Sequence, residues 1–150
     1  MITTSKGEER KFRILDTVGE EDYQTIMDEW IKAADGFILL FAINDKESFD
    51  ALKEKISRIK KNNKEKAPLI LVGNKCDLED KRQIDKQQGM DFAKLIGAKY
   101  YETSALTDAN GNCKIVFQQC AHLILNNINP EEYSKSSCPC TIFENINYSY

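Results

Sequence analysis

Two uninterrupted apolar runs constrain this chain more than any other feature. GFILLFAI at 36–43 and LILVG at 69–73 show no polar alternation, which is how a strand reads when both of its faces are covered. FILLFAI at 37–43 is the longest such run, well short of the roughly 20 residues that cross a bilayer. The segments around the two runs have the other period. Residues 21–34 set Ile26, Trp30, Ile31 and Ala34 near one helical face. Residues 46–64 set Phe49, Leu52, Ile56 and Ile59 at helical spacing opposite many lysines, with Asn44 or Asp45 as N-cap. Further helices are predicted over 85–96, ending at Gly97, and over 112–126. AKYYET at 98–103 reads as a strand. RKFRIL at 10–15 alternates and suits another, with KGEE before it as the turn of a hairpin whose first strand is residues 1–5.

The predicted order is a hairpin, then α, β, α, β, α, β, α. It implies an α/β fold with an open, mostly parallel sheet flanked by helices. The domain is expected over 1–128. Residues 129–150 (NPEEYSKSSCPCTIFENINYSY) are polar and aperiodic, and read as a flexible C-terminal tail.

A formal net charge of −3 with 30% charged residues lacks the basic footprint of a nucleic-acid partner. MITTSKGEERKF has no signal-peptide core, so a cytoplasmic, reducing location is expected. The five cysteines at 76, 113, 120, 138 and 140 then read as free thiols rather than a disulfide framework.

In open parallel sheets, ligands bind beyond the carboxyl ends of the strands. Three polar clusters are predicted at such ends: DTVGEEDY after Leu15, NKCD after Gly73 and ETSAL after Tyr101. Asp77 can accept two parallel hydrogen bonds from adjacent N–H donors of a planar ring, which guanine offers and adenine lacks. Asn74 brings an amide donor and acceptor for the ring edge or the surrounding loops. Lys75 can lay its methylene stem over a ring. Thr103, Ser104 and Ala105 are small enough for backbone N–H groups to approach a ring oxygen. Asp16 can hold Mg2+ through water, and Gly19 can offer a bare N–H to a terminal phosphate. Each cluster alone also suits an ordinary turn, NKCD with its Asp as a helix cap. Their order, each at a strand end, favours one shared site.

LDTVGEEDY, GFILLFAINDKESFD, LILVGNKCDL and YYETSAL together resemble the Ras-type small GTPases, the Ras branch in particular, over residues 6–126. The resemblance implies a P-loop-NTPase-like fold that binds GTP and GDP with Mg2+ as a signalling switch. It implies that Asn74, Lys75 and Asp77 read guanine, that Ser104 and Ala105 support the base, and that Asp16 and Gly19 sense Mg2+ and the γ-phosphate. Residues 17–33 would form the switch offered to effectors and regulators.

The departures from the family carry as much information. No G-x-x-x-x-G-K-[ST] occurs in these residues, nor does a first switch. The expectation is an N-terminally incomplete domain, lacking the first strand and first helix. That strand is central in the family, between the strands matched by 10–15 and 36–43, so their backbone groups need another partner. Glu20 stands where most of the family has the glutamine that orients the attacking water, which predicts slow hydrolysis. Val18 is bulkier than the usual alanine, and Leu106 replaces a lysine. Cys140-Thr141-Ile142-Phe143 fits a prenylation box, with Cys138 as a palmitoylation partner, but seven residues follow it. Membrane attachment, at the inner face of the plasma membrane, is expected only if that anchor is processed. The alternatives are a non-catalytic relative that binds proteins, or a gene fragment that does not fold.

Overall fold

The computed structural model describes residues 2–3, 9–10, 12–17, 24–63, 67–107, 112–127 and 139–144. Its strands are β1 (Ile2–Thr3), β2 (Glu9–Arg10), β3 (Arg13–Thr17), β4 (Gly36–Ala42), β5 (Leu69–Asn74), β6 (Lys99–Glu102) and β7 (Pro139–Glu144). Its helices are α1 (Gln24–Ala33), α2 (Lys46–Asp50), α3 (Leu52–Asn62), α4 (Lys86–Ile96) and α5 (Asn112–Asn127). β1 and β2 form a two-stranded antiparallel hairpin, and the other five strands form one parallel sheet in the order β3-β7-β4-β5-β6.

Handedness explains which face each helix covers. The crossovers from β3 to β4, β4 to β5 and β5 to β6 all advance in one direction across the sheet, whereas β6 to β7 returns. Right-handed crossovers therefore put α1–α4 on one face and α5 on the other. The buried side chains divide accordingly. Phe37, Leu39, Phe41 and Leu71 pack with Ile31, Leu52, Ile56, Ile59 and Ala93. Ile38, Ile70 and Val72 pack with Val116, Cys120 and Ile124 of α5. β4 and β5 thus bury both faces, as their unbroken apolar runs require.

Local chemistry fixes the helix ends. Asp45 is the N-cap of α2, accepting from Ser48 N at 3.1 Å. Asp85 and Gln88 form a reciprocal capping box on α4, and Gly97 ends that helix with φ 78°, a left-handed conformation that costs glycine little. The helix predicted over 46–64 divides in two at Ala51, whose φ −64° and ψ −19° remain right-handed helical. The strand predicted over 10–15 also divides, because its first part pairs antiparallel with β1 and its second joins the parallel sheet.

The slot between β3 and β4, expected from sequence to lack its strand, is filled by β7. Residues 139–144 fall within the span read as a flexible tail, and the structure gives them strand form with parallel partners on both sides.

A β-carbon added at Gly89 on α4 would lie 2.5 Å from Cζ of Tyr100. That ring is half-buried and its hydroxyl is bonded to Glu102, so it has little freedom to yield. Gly89→Ala is expected to destabilise the fold by about 1–3 kcal/mol, outweighing alanine's helix preference of about 1 kcal/mol. Urea unfolding measures this; a variant as stable as the parent would contradict the packing described.

Candidate functional site

Parallel pairing brings the carboxyl ends of all five strands of the main sheet to one edge. β5 and β6 leave that edge side by side, with Gly73 in register with Glu102, and backbone bonds continue the pairing into the loops. Thr103 N donates to Gly73 O at 2.9 Å, and Cys76 N donates to Thr103 O at 3.0 Å. Asn74 is buried at the end of β5, and its Oδ1 accepts from the Thr103 hydroxyl at 3.3 Å. The Ser104 hydroxyl donates to Asp77 Oδ1 and accepts from Thr107 N at 3.1 Å. Two side-chain bonds therefore join the NKCD and ETSA loops.

Each side chain is set for a different task. Asp77 is exposed, with Oδ1 held by Ser104 and Oδ2 free of hydrogen bonds among the described residues. A fixed carboxylate with an open oxygen suits a pair of adjacent N–H donors. Lys75 has φ 61°, a left-handed conformation that costs a non-glycine residue about 1 kcal/mol or more. Leu78 N bonds Lys75 O at 2.9 Å, closing the turn that holds it there. Ala105 and Leu106 are both exposed beside this loop.

Sequence reasoning missed the brace beneath these loops. All five N–H groups of Arg82 are used: two on Glu79 at 2.6 and 2.8 Å, two on Glu102 at 2.9 and 3.2 Å, and one on Ile84 O at 3.0 Å. Tyr100 adds its hydroxyl to Glu102 Oε1 at 2.7 Å. Arg82 follows NKCD and Glu102 precedes Thr103, so the brace sets one loop against the other. Glu79, hydrogen-bonded to Arg82, titrates below the usual carboxylate range. Burial, then the bond to Glu102, pushes the Tyr100 phenol well above its ordinary value. A charged strand residue beside a polar cluster was the available signal, but its partner lies 20 positions away.

The sheet's other flank carries the first cluster. Asp16 is exposed in β3, and its backbone pairs with Ile142 of β7. No group of three or more His, Cys, Asp or Glu residues that could hold a metal occurs among the described residues. Gly19, Glu20 and Cys138 lie outside the described residues. Of the switch span 17–33, residues 18–23 also lie outside them. The remainder is Thr17, at the end of β3, and α1, which is tied to α3 through Arg58 Nε on Asp28 at 2.7 Å and Asn62 on Asp28 at 3.0 Å. Cys140 is described only through its backbone, paired with Ile14 and Gly36.

An open parallel α/β sheet with polar loops converging at its carboxyl edge defines a ligand-binding class of fold. The chain belongs to the Ras family, whose profile matches residues 1–126. It is 46% identical over 107 residues to Ras-related protein O-RAL of Diplobatis ommata and to Ras-related protein ralB-A of Xenopus laevis, a match covering 69% of this chain and 52% of each relative. Ras-related protein Ral-B of Rattus norvegicus is 45% identical over the same length, with the same coverage. The chain spans about half the length of these curated relatives. No helix among the described residues is long and apolar enough to cross a membrane.

Two outcomes follow from this geometry. Arg82→Ala leaves the Glu102 carboxylate largely buried without its cation, and is expected to lower unfolding free energy by about 2–3 kcal/mol. Arg82→Lys recovers only part, because an ammonium lacks the fork that serves two carboxylates; equal stability of all three proteins in urea would count against the brace. Burial, then the charges of Glu102 and Asp77, raise the Cys76 thiol above its ordinary range. Its alkylation, followed at residue level by mass spectrometry, is therefore expected to keep accelerating above about pH 9. A plateau near the free-thiol pKa of about 8.5 would refute that shift.

Proposed function

We propose that this chain carries the guanine-reading part of a Ras-like small GTPase, a switch that binds GTP and GDP with Mg2+. The observation that carries the reading is the pair of bonds linking NKCD to ETSA: Asn74 to Thr103 and Asp77 to Ser104. They hold Asp77 with an open carboxylate oxygen for the ring N–H and 2-amino group of guanine. Lys75, strained into a left-handed turn, covers the ring with its stem. Ser104 and Ala105 present the loop toward the base. Mg2+ would supply charge neutralisation at the phosphates, with Asp16 reaching it through water and Gly19 offering its N–H to the terminal phosphate.

Hydrolysis in this reading is slow. In Ras itself a glutamine orients the attacking water, and the switch orders on the γ-phosphate. Glu20 has no N–H to give that water and adds negative charge beside a polyanion. Residues 17–33 would face effectors and regulators, with α1 anchored on α3 at their far end.

Fluorescent guanine and adenine nucleotides, titrated with Mg2+, test the reading. The parent chain is expected to prefer guanine, and Asp77→Ala to reduce that preference about 10- to 100-fold by leaving the ring donors unpaired. In the nucleotide-bound protein, Glu20→Gln is expected to accelerate phosphate release. No guanine preference in a cooperatively folded parent would instead favour a non-catalytic, protein-binding relative.

A further inference from the structure

β7 follows α5 and fills the slot between β3 and β4. It provides two complete ladders at once. All five residues of β3 register with it, from Arg13 with Pro139 to Thr17 with Phe143. On its other side it registers with β4, from Gly36 with Cys140 to Leu40 with Glu144. β3 pairs with no other strand among the described residues. Among those residues, the strand bearing Asp16 is therefore joined to the sheet bearing NKCD and ETSA only through β7.

The topology makes this strand separable. It follows α5, which covers the opposite face from α1–α4, and it arrives by the return crossover. Its release would leave the pairing of β4 with β5 and of β5 with β6 in place. Pro139 is its first residue, where the missing N–H is tolerated; a proline further in would remove a ladder bond. Its departure would strip partners from one edge of β4, whose Phe37 and Leu39 are fully buried, and from all of β3. Unpaired backbone groups beside such a core carry a large cost, so the slot favours being filled.

We propose that residues 139–144 act as an intramolecular donor strand, a detachable central strand that completes the sheet and docks the Asp16 strand against the guanine-side loops. The slot between β3 and β4 is a parallel strand-binding surface, and its occupant is this chain's own C-terminal segment. While it is docked, the backbone of Cys140 is in register with Ile14 on one side and Gly36 on the other. None of this depends on the nucleotide reading, and it is tested without nucleotide.

Hydrogen exchange followed by mass spectrometry on the full chain tests the proposal. Amides of 140–144 are expected to be protected, yet to exchange faster than those of 69–74, as for a strand that leaves while β5 stays paired with β4 and β6. Thr141→Pro, which puts a proline inside a strand paired on both sides, is expected to accelerate exchange in 13–17 by about 100-fold or more while β5 and β6 stay protected, as for a local opening. A synthetic peptide spanning 137–146, added to that variant, is expected to restore the protection of 13–17 saturably. Exchange of 139–144 at the rate of an unstructured peptide in the parent chain would overturn the proposal. So would unchanged protection of 13–17 in the variant. Should Thr141→Pro unfold the whole chain, the parent's own exchange pattern decides.

Discussion

The fold rests on the pairing of β4 along both of its edges. A strand with apolar side chains on both faces has no contact with water, so every backbone N–H and C=O must find a partner within the sheet. β5 meets one edge from Phe37 with Leu69 to Ala42 with Asn74, and β7 meets the other. Both pairings are parallel, and that common direction puts the carboxyl ends of β3, β5 and β6 at one edge. The candidate site is a consequence of this arrangement. Its loops sit together because the strands beneath them share one direction, and the Asn74, Asp77 and Arg82 bonds only refine their spacing.

Much of this architecture was legible in the sequence, for identifiable reasons. The runs at 36–43 and 69–73 marked the two strands buried on both faces, because no amphipathic element tolerates such a run. Asp45 and Gly97 mark helix ends through bonds that span three or four residues, a range that sequence alone can judge. The convergence of 74–77 with 103–105 was readable because both clusters follow predicted strands of one parallel sheet.

β7 was not legible, and the reason is physical. PCTIFE sits among Ser, Asn and Pro residues and is too short for its own pattern to declare a strand. What makes it one is the slot between β3 and β4, a non-local demand set by residues more than 100 positions earlier. The Arg82–Glu102 brace escaped notice for the same reason, since its partners come together only once β5 and β6 are paired. The division of 10–15 into two strands likewise follows from which partner each half meets.

If NKCD and ETSA form one site selective for guanine, the two loops must answer a guanine nucleotide together. Residue-resolved NMR of the full chain, titrated in parallel with GDP and ADP in the presence of Mg2+, measures this. GDP is expected to shift the amides of residues 74–77 and 103–105 along one binding curve, while ADP leaves them in place. Equal responses to the two nucleotides, or GDP shifts that leave both loops unmoved, would contradict a shared guanine site.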